Sequence, residues 1–300
     1  MSDTTGGDPS PSDDQEIVRG LRLGPMRWDE AVLLSDWAAA EGWNPGLADV
    51  EVAWAVDPAA FIAVRRGEEL VAGGTIFSHS ARFGFMGLFI VRDDHRGAGL
   101  GRRLWHYRRD RLIGRLASRS AIGMDGVLDM VPFYARGGFR LAYRDVRFEG
   151  IASGDRRSDV VDLSAFGFAA VADLDQRFFP VPRPDFLRRW VSQPGSHTAG
   201  IIEDGRLVGF GMLRPCRVGY KFGPVLAERD DLGGRMIEHL MGCVAGDQVQ
   251  LDVPEPNGAA LRLAASLGLR ESFACARMYL GEVPDLPIGG VFGVTSFEFG

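Results

Sequence analysis

The chain has 300 residues, 46% hydrophobic and 25% charged, with a formal net charge of −6; this is ordinary globular composition, long enough for about two domains. The acidic balance argues against a generic nucleic-acid binder, and no apolar run reaches the ~18–20 residues of a membrane-spanning helix. Cys216, Cys243 and Cys275 form no disulfide framework or metal pair, the histidines show no zinc spacing, and the single lysine, Lys221, makes Schiff-base chemistry a poor fit.

Residues 1–15 are Ser, Thr, Gly, Pro and Asp-rich, with no basic start and no apolar block. They read as a disordered tail and not as a signal peptide, so a cytoplasmic protein is expected. A first domain follows over 16–150. Its pattern predicts an amphipathic helix at 29–41 and a short helix at 49–54. Strands at 61–64 and 70–78 flank a charged turn at Gly67, a hairpin signature. Next come a strand at 82–91, a helix at 99–118, a strand at 120–124, a short helix at 131–136 and a last strand at 141–148. The polar stretch 151–159 predicts a linker. Residues 160–300 repeat this order. The hairpin around Gly205 matches that around Gly67, and the run from Leu263 to Leu269 matches that from Phe133 to Phe139, at separations of roughly 130–138 residues. Antiparallel strands leading into a strand–helix–strand unit give an α/β class, an α+β mixed sheet, in two copies.

The sharpest local signal is the run from Phe89, Ile90 and Val91 into Arg96, Gly97, Ala98, Gly99, Leu100, Gly101 and Arg102. An apolar strand enters a glycine-rich turn that opens a helix. Unpaired amides and the helix dipole make such a turn an anion site suited to a pyrophosphate, and Arg96 adds a full charge. A Walker A loop would need Gly-Lys-Ser/Thr, and a dinucleotide fingerprint would place its third glycine one residue later. Eight arginines lie between Arg96 and Arg119 against one acid, Asp110; those beyond Arg103 read as a solvated helix face. Gly84 and Gly87 suit either a bulge that opens the sheet or close packing against a neighbour.

Arg96-x-x-Gly99-x-Gly101 resembles the acyl-CoA signature of the GNAT N-acetyltransferases. The later block Phe133-Tyr134-Ala-Arg-Gly-Gly138-Phe139 resembles that family's closing motif. The Trp-rich stretch 36–46 and the ending 292–300 are similar to bacterial tandem proteins of its YitH-type group. The resemblance implies two tandem GNAT-like domains, each a mostly antiparallel twisted sheet flanked by helices. It implies acetyl-CoA as co-substrate, no metal, and direct attack by the amine of a small-molecule or amino-acid-like acceptor in a ternary complex. A monomer or homodimer is expected, without nucleic acid or membrane; the alternatives are an acyl-CoA sensor or a protein N-acetyltransferase.

Carried over by residue, the resemblance assigns Phe89, Ile90 and Val91 to the acyl-CoA arm and Arg96 to Arg102 to its diphosphate. Tyr134 becomes the donor to the departing thiolate, and Glu41, Trp43 and Asn44 shape the acceptor pocket. The family's frequent strand glutamate is missing between Phe85 and Val91. Asp125, Glu41 and His79 are therefore base candidates, beside a water relay. The second copy carries acids at 227–235 and Ala264 where Tyr134 would stand. It is expected neither to bind acetyl-CoA well nor to catalyse, but to stabilise the first or lend it Asp252, Asn257 or Arg277.

Overall fold

The computed structural model describes residues 15–18 and 20–300, so all but the last residue of the expected tail lies outside it. A hairpin of β1 (Gln15–Val18) and β2 (Leu21–Pro25) leads to α1 (Trp28–Ala40) and α2 (Asp49–Val56). Then come β3 (Phe61–Arg66), β4 (Glu69–Ser80), β5 (Phe83–Val91), α3 (Leu100–Arg115), β6 (Ala121–Val127), α4 (Val131–Arg136) and β7 (Arg140–Ile151). The second half holds α5 (Phe168–Asp175), α6 (Pro184–Trp190), β8 (His197–Glu203), β9 (Arg206–Pro215) and β10 (Tyr220–Ala227). It continues with α7 (Asp230–Cys243), β11 (Gln248–Pro254), α8 (Gly258–Ser266), β12 (Arg270–Leu280) and β13 (Val291–Gly293). The β1–β2 hairpin is the part that sequence patterning did not anticipate. Its strands are short and carry no alternation strong enough to stand out.

All strands join one mixed sheet, in the order β1-β2-β3-β4-β5-β6-β12-β7-β11-β10-β9-β8, with β13 added to β10. The pairs β5–β6 and β10–β11 are parallel, and the rest are antiparallel. The two halves exchange their last long strands. β12 lies beside β6 of the first half, β7 lies beside β11 of the second, and β7 and β12 pair at the centre. Residues 152–159 do not hang free: the Ala152 N–H donates to Asp247 O at 2.8 Å, and Arg157 pairs with Asp159 and Glu238.

Helices cover both faces. α1 and α2 bury Leu34, Ala38, Val50 and Ala53 against Phe61 and Phe77. α3 buries Leu104, Trp105 and Leu112 on the opposite face. α7 turns Leu232, Met236, Ile237 and Leu240 inward at helical spacing, each worth about 1.5–3 kcal/mol of burial. Buried ion pairs cross between the halves: Arg214 grips Asp49 at 2.8 and 3.1 Å, and Arg147 grips Asp252 at 2.7 and 2.8 Å. Each is bidentate, and losing one partner of such a pair costs about 3–5 kcal/mol.

Candidate active site

β5 and β6 run together only from Phe83↔Ala121 to Met86↔Met124 and then part. On its other edge, β5 sets Gly87 against Thr75 but Ile90 against Gly73, so it carries one extra residue. Leu88, at φ 48°, marks this bulge, and a bulge bends its strand away from the partner. The two glycine readings divide here. Gly87 sits at the bulge and is also closely packed, whereas Gly84 is close packing alone, its Cβ position only 2.9 Å from Leu112.

The carbonyls of Thr75 and Gly87 accept from Arg108 on α3, each at 2.6 Å. This corrects the expectation that arginines beyond Arg103 face water. Arg108 is buried, and desolvation pulls its guanidinium down to about 9. Arg115 also turns inward, to Asp57, while Arg111 and Arg119 stay exposed.

Eight residues, 92–99, link β5 to α3. Gly97 (φ 84°) and Gly99 (φ 80°) hold left-handed backbone there, and Gly99 caps α3. Such φ values favour glycine. The Cβ position of Gly101 is 3.5 Å from Phe89 and Val91, ordinary contact, so no protein neighbour demands a glycine. Arg96 donates to Val91 O at 2.7 Å and to Glu41 at 2.5 Å, and also pairs with Asp93. Leu100 points into the core, leaving its backbone to the turn.

The turn opens a groove of ≈ 400 Å³ lined by Glu41, Trp43, Phe89, Ile90, Val91, Arg96, Gly97, Gly101, Arg102, Met130, Phe133 and Tyr134. Its chemistry fits an acyl-CoA: a positive helix end for a diphosphate, and a β5 edge from Gly87 to Val91 with no ladder toward β6 for an extended arm.

Trp43, Phe89, Val127 and Tyr134 also line a deeper cavity of ≈ 80 Å³. Its walls include Arg108, Asp125, Arg147, Phe273, Cys275, Phe297 and Glu298. Tyr134 therefore stands where groove and cavity meet. Gly126 makes room for its ring: a Cβ there would lie 2.4 Å from it. Burial raises the phenol to about 12, partly offset by Arg108, so it is a proton donor at neutral pH. Trp43 is held by its carbonyl, which accepts from Arg147 at 2.9 Å and from Lys221 at 3.1 Å.

The other expected residues fall as follows. Asp125 reaches the cavity, but both its oxygens accept from Arg277, at 2.6 and 2.7 Å. Burial raises its pKa and that of the neighbouring Asp145. Glu41 lies in the groove with Arg96 and not in the cavity. Asn44 lines neither: its amide bonds Gln250 and the Val218 backbone, clasping the halves. His79 Nε2 donates to Phe299 O, 2.6 Å away, and the carbonyl fixes the tautomer with its proton on Nε2. It is ringed by Phe77, Phe83, Phe179 and Phe186. Desolvation, with the charge of Arg183, pushes it down to about 3, so it is neutral and structural. Sequence reasoning missed Arg108, Cys275, Phe297 and Glu298. The closing run 292–300 drew attention by likeness, but no spacing shows that it reaches the first half.

In the second half, β10 and β11 pair at Tyr220↔Val249 and Lys221↔Gln250 and then part. There β13 fills the opening, pairing Val225↔Gly293 and Leu226↔Val291. Only residues 228 and 229 link β10 to α7. Phe292 covers the first turn of α7, 2.5 Å from the Cβ position of Gly233. The expected recognition groups are occupied: Asp252 by Arg147, Arg277 by Asp125, and Asn257 by capping α8 and donating to Gly289 O and Val291 O. Among the described residues no cluster of His, Cys, Asp or Glu is placed to hold a metal, and no helix is long and apolar enough to cross a membrane.

Two family models match the chain, an acetyltransferase (GNAT) family model over residues 28–139 and an acetyltransferase (GNAT) domain model over residues 171–293. The chain is 26% identical over 279 residues to holothin acyltransferase of Pseudoalteromonas sp. (strain SANK 73390), spanning 92% of this chain and 93% of that protein. It is 26% identical over 176 residues to the uncharacterized N-acetyltransferase YitH of Bacillus subtilis (strain 168), spanning 56% and 60%. A solved acetyltransferase-like protein of Pyrococcus horikoshii shares the fold at a TM-score of 0.81 and 20% identity, over 95% of this chain and 98% of that one.

Proposed function

This chain is a tandem GNAT acyltransferase, and we propose that it moves acetyl from acetyl-CoA to the amine of a small molecule by direct attack within a ternary complex. The observation that carries this reading is the continuity of the open groove with a smaller, partly enclosed cavity, with Tyr134 on the wall of both. A recess of ≈ 80 Å³ that narrows from the groove suits a small acceptor better than a protein surface. We assign catalysis to residues 16–150 together with the strands and segment that cross over, and a non-binding role to the copy at 160–300.

The bound co-substrate supplies the activated acetyl group. The turn amides at 96–102, with Arg102, hold its diphosphate. Phe89, Ile90 and Val91 hold the arm along the unpaired β5 edge, and Trp43 forms the wall where the amine enters. Tyr134 gives its phenolic proton to the leaving sulfur. Placing the amine against the thioester in one cavity replaces a bimolecular encounter, a large share of the rate.

The test is thiol release from acetyl-CoA with an amine panel that includes amino acids, polyamines and holothin, after which the full-length relative is named. Amine-stimulated release is expected, and Tyr134→Phe should lower kcat by about 10²-fold or more with acetyl-CoA affinity nearly unchanged. Binding without stimulated release would favour a sensor. Release only with peptides would favour protein acetylation.

A further inference from the structure

Residues 294–300 leave β13 in the second half and end inside the first. The Val294 N–H donates to Asp252 O at 2.9 Å. Arg183 donates to Thr295 Oγ1 at 2.8 Å and to Gly300 O at 3.2 Å, and His79 holds Phe299 O at 2.6 Å. The run presses so closely on the β5 bulge that a Cβ on Gly87 would lie 1.9 Å from Glu298 O. Ser296 folds it locally, its Oγ accepting from the N–H groups of Glu298 (2.9 Å) and Phe299 (3.2 Å). Its hydroxyl donates to Glu298 Oε2 at 2.5 Å, which fixes the carboxylate.

We infer that Glu298, delivered by the second half, is the catalytic base of the first half's site and the group that receives the acceptor's ammonium. This rests on the acyl-transfer reading above. The segment is tied at both ends, buried throughout, and places one carboxylate in the cavity shared with Tyr134. Asp125 is saturated by Arg277, whereas Glu298 Oε1 has no hydrogen-bond partner among the described residues. Arg108 of α3, Asp125 of β6, Tyr134 of α4, Arg147 of β7 and Cys275 of β12 face the same space. Of these, Arg147 is neutralised by Asp252. Arg214 of β9 and Lys221 of β10 act on Glu298 through charge, and Arg214 is itself paired with Asp49. A carboxylate so placed first takes one proton from the bound ammonium and passes it to solvent, which leaves a neutral amine beside an ionised Glu298. As the N–C bond forms and the C–S bond breaks, the nitrogen proton passes to Glu298 and the Tyr134 proton to sulfur. Return of the Glu298 proton to the phenolate restores the site.

The experiment compares wild type, Glu298→Gln and Glu298→Asp in the full chain. The Gln variant should bind acetyl-CoA as the wild type does and lose amine-dependent kcat by about 10²-fold or more, together with the acidic limb of the pH–rate profile. The Asp variant should keep that limb at reduced rate. Unchanged kcat and pH profile in whichever variant folds would overturn the inference. Wild type without amine-stimulated release would instead sink the acyl-transfer reading. In that case, calorimetry of the amines with coenzyme A present isolates Glu298: at least tenfold weaker amine binding in Glu298→Gln supports it, and equal binding in the two proteins overturns it.

Discussion

In the first half, β5 and β6 part after Met86 and leave a strand edge facing an open groove; in the second, β10 and β11 part after Lys221 and β13 closes the gap. The first half spends eight residues between strand and helix and makes a glycine turn, while the second spends two and has no length for one. Where the first half has Tyr134, the second has Ala264, buried in α8 with no proton to give. The same sheet thus yields an open groove or a packed core according to one loop and one added strand. The filled opening is also the origin of the segment that completes the open one, so the two differences are connected.

Phe292→Ala tests the filled side and should have the largest effect on stability, about 3–5 kcal/mol, the usual cost of emptying a buried phenylalanine site. Chemical denaturation reads it, and acetyl-CoA stoichiometry should stay at one per chain because α7 still lacks the turn. A second bound equivalent would break the comparison. Next, equivalent substitutions should separate the helix starts. Gly99→Val should weaken acetyl-CoA binding by about 100-fold, close to 3 kcal/mol, by forcing a β-branched residue into left-handed backbone. Gly233→Val should leave affinity alone and cost about 1–3 kcal/mol of stability by crowding Phe292. The smallest effect per step is acid loosening at His79, where the segment enters the first half. Its folded value of about 3 lies below the ordinary imidazole value of 6.5. The unfolded chain therefore binds a proton that the folded chain refuses. This contribution is complete above about pH 6.5 and is lost as pH falls toward 3, by up to about 1.4 kcal/mol per pH unit. Urea titrations of wild type and His79→Gln should differ in slope across that window.

Much of this was legible in the sequence because it is local. The glycine turn at 97–101, the helix at 131–136 and the hairpins around Gly67 and Gly205 are set by neighbours a few residues apart. Tyr134 belongs to one such local block, but the burial that keeps its phenol protonated comes from a core that includes Trp105, Met124 and Ala276. What escaped was non-local. Nothing in period or spacing says that β7 and β12 trade places, that Arg108 turns inward to serve carbonyls freed by a bulge, or that residue 298 lies beside residue 87. Asn44 misled for a related reason. Its polar side chain in a Trp-rich loop suits a ligand, but its partners, Val218 and Gln250, come from the distant half.

The crossing of β7 and β12 has a consequence for how this molecule comes apart. A nick anywhere in 151–159 would not release two proteins. Each fragment would carry a long strand that belongs to its counterpart and an exposed sheet edge that needs one, the situation that drives strands to seek partners. Such pieces should seek each other out, as the halves of a split reporter do, because each holds the strand that the other's edge lacks. The chain is a heterodimer in all but its covalent connection.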